Sequence, residues 1–446
     1  MSGVIKNPRN GCALHGALQT VQEIRGVVPI IHANAGCGVI NYLSALSTGE
    51  GRVLTGGYNA PGTTVQERHV IFGGASRLRE QIKNTIKIVN GDLYVILNSC
   101  ESAMVGDDVE AMTREIVEQG EPVVNTLVAG FNGGAHYGYE HVLADILRSV
   151  YEVKKNERKT DETLVNIFGI IPWKDPFWKG NLDEISKILK AVGLRSNVFF
   201  GDNGGVEDLI KAQNAKLSIV FGRWGELPAS VLETKFGIPK LLFPTLPADY
   251  KDEKELIEKI SELVSVNKEK AEQFFAKEKK YEENYRARIL TDLLDYDIGK
   301  DAAIVGDEET VIRVAKLLKS TFGTEIRSVV LTDVLKHDED HLADYTDDIE
   351  GIVSKVYISS DQKEIEEILK ASKTEFIIGS SFEKAFAEKR GNAALDISFP
   401  IYDRTILNKT TIGTVGEIGL IEDIVYAVKK YEWNRKNNLV AYIRNY

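Results

Sequence analysis

The stretch DLYVILNSCESAMVGDD, residues 92–108, decides how the rest of the chain is read. Leu93, Tyr94, Val95, Ile96 and Leu97 form an apolar run without polar alternation, which then stops at Asn98-Ser99. A short continuous run of this kind fits a strand of a parallel sheet that is covered on both faces. Cys100 follows at once, with carboxylates close behind, so a thiol stands where a buried strand opens onto a loop.

The same grammar recurs along the chain: a short β-branched run, a Gly or Pro stop, then an amphipathic stretch. VVPIIH (27–32), LVNIFGIIP (164–172), SNVFFGD (196–202), LSIVFG (217–222) and PKLLFP (239–244) follow it, as do AAIVGD (302–307), SVVLTD (328–333) and EFIIGS (375–380). Strands alternating with helices indicate βαβ units. In residues 251–266, Leu256, Ile257, Ile260, Leu263 and Val264 recur at the spacing of one helix face, with Lys and Glu opposite. Phe274, Tyr281, Tyr285 and Ile289 continue a similar stripe, so residues 251–295 read as a helical connector. The fold class expected is α/β, with three Rossmann-like domains of mainly parallel sheet flanked by helices. Their expected bounds are 1–160, which holds every cysteine, 161–295, which ends in the connector, and 296–446, which ends in a helix.

At 446 residues the chain is too long for one ordinary core. Hydrophobic residues make up 43% and charged residues 27%, ordinary values for a globular protein. A net charge of −11 argues against nucleic acid or an anionic membrane surface as partner. No apolar run approaches the roughly 18 residues of a membrane span. The first residues show no basic flank leading into an apolar stretch, so no signal peptide is expected and the cytoplasm is the default location.

Several chemistries lack their motifs. There is no G-x-x-x-x-G-K-S/T, no G-x-G-x-x-G, no H-E-x-x-H and no G-x-S-x-G. GDNGG (201–205) and GDEE (306–309) follow strands, where open α/β sheets bind ligands, but plain strand-to-helix turns explain them as well. His136 and His141 lie five apart, a spacing that reads as two separate structural histidines. No catalytic residue is identified.

The cysteines remain. Cys12 sits in NGCALHGA, Cys37 in HANAGCG and Cys100 in NSCES. Three is an odd number for a disulfide framework, and all lie in the first quarter of the chain. The plain reading is three small buried hydrophobes. Against it, two of them directly follow apolar strands, and all have Gly, Asn, Ser or Ala neighbours. That placement fits thiolates on loops at one sheet edge, where an inorganic cluster can approach the backbone and accept its N–H groups. The spacings of 25 and 63 residues match no zinc finger or bacterial ferredoxin pattern. Three thiolates are also one short of a four-cysteine cluster site, which leaves an oxygen donor or a second subunit to complete it. Both readings stay open on these grounds.

The residues resemble a known family. C-x-x-x-G-A (12–17), H-x-x-x-G-C (32–37) and S-C-x-x-x-x-x-G-D-D (99–108) stand in the order of the N-terminal domain of nitrogenase component 1 proteins. TTVQERHVIFGG (63–74), AGFNGGAHYGY (129–139), NLDEISKILKAVGL (181–194), LETKFGIPKLLFP (232–244) and ISFPIYDR (397–404) are similar to further family segments, so the resemblance spans nearly the whole chain. It implies three α/β domains and an iron–sulfur cluster, held by Cys12, Cys37 and Cys100, at the interface with a homologous α-type subunit, as in an α2β2 heterotetramer. It also implies docking of an ATP-hydrolysing iron-protein reductase and electron transfer through the cluster. Asp107 and Asp108 would fix the loop behind Cys100.

The departures bear on the role. The family's catalytic subunit adds a cysteine in the second domain and a histidine in the third to hold its metal cofactor. This chain has no cysteine after Cys100, and its last histidine is His341. It therefore resembles the β-type partner, an oxidoreductase subunit of a nitrogenase-like reductase. Ala129-Gly130 stand where the nitrogenase β subunit carries a serine, so both a simple 4Fe–4S cluster and an 8Fe–7S, P-cluster-like group fit the resemblance. Two alternatives are a scaffold subunit for assembling a nitrogenase-type cofactor and a metal-free metabolite-binding α/β protein.

Overall fold

The structure is a computed structural model that describes residues 8–39, 60–154, 156–295, 301–334 and 349–444. His341 lies outside them. Among the described residues, twelve strands form three sheets, and every pairing between these strands is parallel. The first sheet has the order β1 (Val27–His32), β2 (Leu93–Asn98), β3 (Val123–Leu127). In the second, β4 (Asp161–Phe168) lies between β5 (Arg195–Asn197) and β6 (Ala215–Phe221), and β7 (Lys240–Phe243) forms an edge. The third contains β8 (Ala302–Gly306), β9 (Ile326–Leu331), β10 (Val356–Ile358), β11 (Phe376–Gly379) and β12 (Ala393–Asp396), in the order β10-β9-β8-β11-β12. Helices flank the sheets, as expected for the α/β class.

The unalternating β2 pattern has a direct cause. Leu93, Val95 and Leu97 enter a core with the helices Ala13–Gln22 and Ala135–Val153, while Tyr94 and Ile96 enter another with Leu78, Ile82, Val109 and Ile116. Both faces are apolar because both are covered. The first core continues without a break into the second sheet through Val165, Ile167 and Leu217.

Three strands, β3, β10 and β12, are absent from the sequence expectation. β3 carries Asn125 and Thr126, and the other two are short, so none shows a clear apolar run. The strand expected over 196–202 ends at Asn197; the chain then turns through Gly201 at φ +75°, while Phe199 and Phe200 remain in the core. Residues 251–295 form the helices Tyr250–Ser261 and Lys268–Asp295. Leu256, Ile257, Ile260 and Val264 are buried, but Leu263 is exposed.

Two features anchor the first sheet. Helices Ala13–Gln22 and Ala135–Val153 cross so closely that a Cβ on Gly16 would lie 1.9 Å from the Ala135 carbonyl oxygen, and one on Gly138 would lie 2.0 Å from that of Ala13. Glycine is thus required at the fifth position of C-x-x-x-G-A. Near the beginning of the chain, buried Arg9 donates from Nη1 to both oxygens of buried Glu383, each at 2.7 Å, and from Nη2 to Ser398.

Candidate metal centre

Register brings the cysteine loops together. In the β1–β2 ladder His32 stands opposite Asn98, so both strands end side by side and release their loops on the same edge. Cys37 lies in a helical turn that begins at residue 35, and Cys100 opens the helix Cys100–Val105 behind the Ser99 cap. Cys12 is the N-cap of Ala13–Gln22, and its backbone bridges Gly134. Each thiol therefore sits at the start of a helical turn.

The sulfurs of Cys12 and Cys100 converge on Gly130. A Cβ on Gly130 would meet Cys12 Sγ at 3.1 Å and Cys100 Sγ at 3.2 Å. The Gly130 N–H donates to Cys100 Sγ at 3.0 Å. Burial, with the nearby Cys12, Glu101 and Cys100, pushes the Cys37 thiol up to about 11. His15 Nδ1 lies 3.3 Å from Cys12 Sγ, and burial holds its ring below its ordinary pKa against a hydrogen bond with the Cys37 backbone.

The loops behind the thiols are tied by named groups. Asp107 accepts from the Gly74 N–H at 2.6 Å and pairs with His32 Nε2 at 3.0 Å, while His32 Nδ1 meets Thr63 Oγ1 at 3.0 Å. Burial lowers the His32 pKa despite Asp107. Asp108 caps the helix Val109–Glu118 by accepting from the Ala111 N–H. Asn34 and Glu101 join the Cys37 and Cys100 loops directly. The sequence reading missed these two, along with His15. The available signal was an Asn three residues before a cysteine, the helix-cap spacing, and a Glu immediately after another.

Among the described residues, no three His, Cys, Asp or Glu side chains are grouped so as to hold a single metal ion. Three half-buried thiols, two of them against Gly130 and the third tied to their loop through Asn34 and Glu101, would instead suit a larger inorganic group. The donor set and the cradle at Gly130 both fit an iron–sulfur cluster.

Residues 12–429 match the family described as nitrogenase component 1 type oxidoreductase. The chain belongs to that family. It is 23% identical over 454 residues to the nitrogenase molybdenum-iron protein beta chain of Methanothermobacter thermautotrophicus, covering 95% of this chain and 94% of that one. It is 25% identical over 439 residues to the nitrogenase iron-molybdenum cofactor biosynthesis protein NifE of Clostridium pasteurianum, covering 96% and 89%. A solved structure titled nitrogenase Cp1 at pH 6.5 superposes with a TM-score of 0.77 at 19% identity, covering 96% of this chain and 94% of that one, so it shares the fold.

Other sequence candidates resolve differently in this component 1 chain. His136 is buried against Trp224, with ring centroids 5.6 Å apart, and burial pushes it down to about 4. His141 stacks on Tyr137 at 3.8 Å. Gly201–Asn203 is a short helical turn, and Asp307 caps the helix Glu308–Phe322 by accepting from the Thr310 N–H. Both glycine-containing stretches are strand-to-helix turns. No helix of the described residues is long and apolar enough to cross a membrane.

Proposed function

We propose that this chain is the β-type subunit of a nitrogenase-like reductase, with Cys12, Cys37 and Cys100 holding their share of an iron–sulfur cluster at the contact with a homologous α-type subunit. The convergence of Cys12 and Cys100 on Gly130 carries this reading. A bound cluster supplies one-electron redox chemistry at low potential. Gly130 donates to one sulfur and leaves room for the inorganic group. The Asp107–His32 pair holds the loop behind it. Domains 1–160, 161–295 and 296–446 would each be built on one of the three sheets.

The surface around the thiols is apolar and uncovered. Phe131 is 62% exposed, Met104 79%, Ile71 73% and Phe72 86%, and the helix Glu67–Phe72 buries none of its residues. Such a concentration marks a protein contact. In this reading the α-type subunit covers the rim at Phe131 and Met104, and the ATP-hydrolysing reductase docks transiently near Glu67–Phe72, in an α2β2 assembly. The assignment to the cytoplasm belongs to the same reading.

Similarity to NifE favours a second reading, a scaffold on which a metal cofactor is assembled. The two readings share the cluster and differ in their partners. The carboxyl ends of β4, β6, β8 and β9 meet around a cavity of about 30 Å³, lined by Gly169, Gly222, Asp307 and Asp333, room for a water or two. Arg223 pairs with Glu308 there, and Trp224 Nε1 donates to Asp333 at 2.8 Å.

Anaerobic co-purification with the homologous α-type chain, followed by iron and sulfide quantitation and EPR, tests the proposal. About four iron per subunit pair is expected for a single shared cubane and about eight for a P-cluster-like group. Iron unchanged in the triple Cys→Ser variant would overturn it.

A further inference from the structure

Two residues tie the Cys37 loop to the Cys100 loop. The Glu101 carboxylate accepts from the Asn34 backbone N–H at 3.1 Å with one oxygen and from Asn34 Nδ2 at 2.6 Å with the other. The opposite end of the same amide, Asn34 Oδ1, accepts from the Cys37 N–H at 3.3 Å. A single side chain thus reads the position of one cysteine backbone and the neighbour of another. The contact spans 67 residues of sequence, and the ladder partners His32 and Asn98 stand just behind it. Both groups are partly buried, where charge-assisted hydrogen bonds to a carboxylate are stronger than neutral ones.

We infer that Asn34 and Glu101 are positioning residues: their clamp sets the spacing between the Cys37 and Cys100 thiols, and its fixed negative charge lowers the reduction potential of the group they hold. The second half rests on the iron–sulfur reading above. The clamp acts before any metal arrives, since all its bonds are between protein groups. A carboxylate beside a cluster disfavours adding an electron, and groups outside the ligand set tune potential in this way.

The test has a metal-free arm and a loaded arm. In the reduced full-length chain without metal, dibromobimane cross-links nearby thiols, and peptide mapping assigns the pairs. The parent is expected to yield a Cys37–Cys100 product, reduced at least fivefold in N34A and E101A and kept within twofold in E101Q, whose amide oxygen still accepts from the backbone. The Cys12–Cys100 product serves as the internal control for folding. Equal Cys37–Cys100 yields in all four proteins overturn the clamp. In the loaded complex with the α-type chain, E101Q is expected to match the parent in iron and to show a higher midpoint potential. An unchanged potential at equal iron overturns the charge effect. Clamp-dependent cross-links in a parent that binds no iron support the positioning role and overturn the iron–sulfur reading and, with it, the charge effect.

Discussion

Gly130 touches Cys100 in two ways: its N–H donates to the sulfur at 3.0 Å, and a Cβ in its place would lie 3.2 Å from that sulfur and 3.1 Å from Cys12 Sγ. The nearest neighbour of the missing side chain is Cys12 Cβ at 3.0 Å, which must give by a few tenths of an ångström, while the two sulfurs can rotate away when no metal holds them. Gly130→Ala is therefore expected to fold, with a thermal midpoint within a few degrees of the parent. On the proposed iron–sulfur reading it is also expected to retain less than half the iron, because sulfurs bound to a cluster could not move aside. Full iron content in the variant would mean that the cluster does not lie on this side of the thiols.

The helix crossing at Gly16 behaves in the opposite way. An added Cβ there meets backbone, 1.9 Å from the Ala135 carbonyl oxygen, so no rotamer relieves the clash. Gly16→Ala must push apart the helices Ala13–Gln22 and Ala135–Val153, and overpacking of this kind costs about 3 kcal/mol. A lowered urea midpoint in the metal-free chain is the expected result, with iron loss following from it. A variant as stable as the parent would place the crossing elsewhere.

These two glycines show what was legible in the sequence. The parallel sheets were, because Leu93–Leu97 can only be apolar throughout if both faces are covered. The cysteine edge was also readable, since Cys37 and Cys100 each follow a strand. What joins the loops was not: Asn34 and Glu101 are 67 residues apart, and neither has a pattern beyond its neighbouring cysteine until the β1–β2 register is known. Short strands such as β12, with four residues and Asp396 at its end, carry too little apolar periodicity to be seen. Ion pairs between residues far apart in the sequence depend on how the sheets and helices pack, which no local pattern encodes.

Arg9 and Glu383 supply one such pair, with both side chains fully buried. Burial works against the Glu383 charge, but Arg9, Ser380 and Gln362 outweigh it and hold the carboxyl below its usual range. Removing one partner leaves an unpaired buried charge, so Arg9→Ala is expected to cost about 3–5 kcal/mol. Replacing both, as Arg9→Met with Glu383→Leu, should cost less than either single change predicts. Because the folded-state value is depressed, the stabilisation is present above the ordinary carboxylate pKa and is lost as pH falls through the folded one. Urea midpoints at descending pH should therefore drop more steeply in the parent than in the double variant, and parallel curves would refute the pairing.

Glu253 has the reverse sign. It accepts from the N–H of Thr414, in the first turn of the helix Gly413–Arg444, at 2.8 Å. Burial raises its carboxyl to about 8; the bonds from Thr414 oppose this, while Glu278 and Glu184 add to it. The folded chain thus binds a proton that the unfolded chain releases near pH 4.5. Between those values the native state holds more protons, so stability falls as pH rises and the loss is complete above about 8. Glu253→Gln keeps an acceptor for the Thr414 N–H and removes the titration. The variant should match the parent near pH 5 and become the more stable protein by a few kcal/mol at pH 9, measured by urea denaturation. A parent that holds its stability to pH 9 as well as the glutamine variant would show that Glu253 is charged in the folded chain.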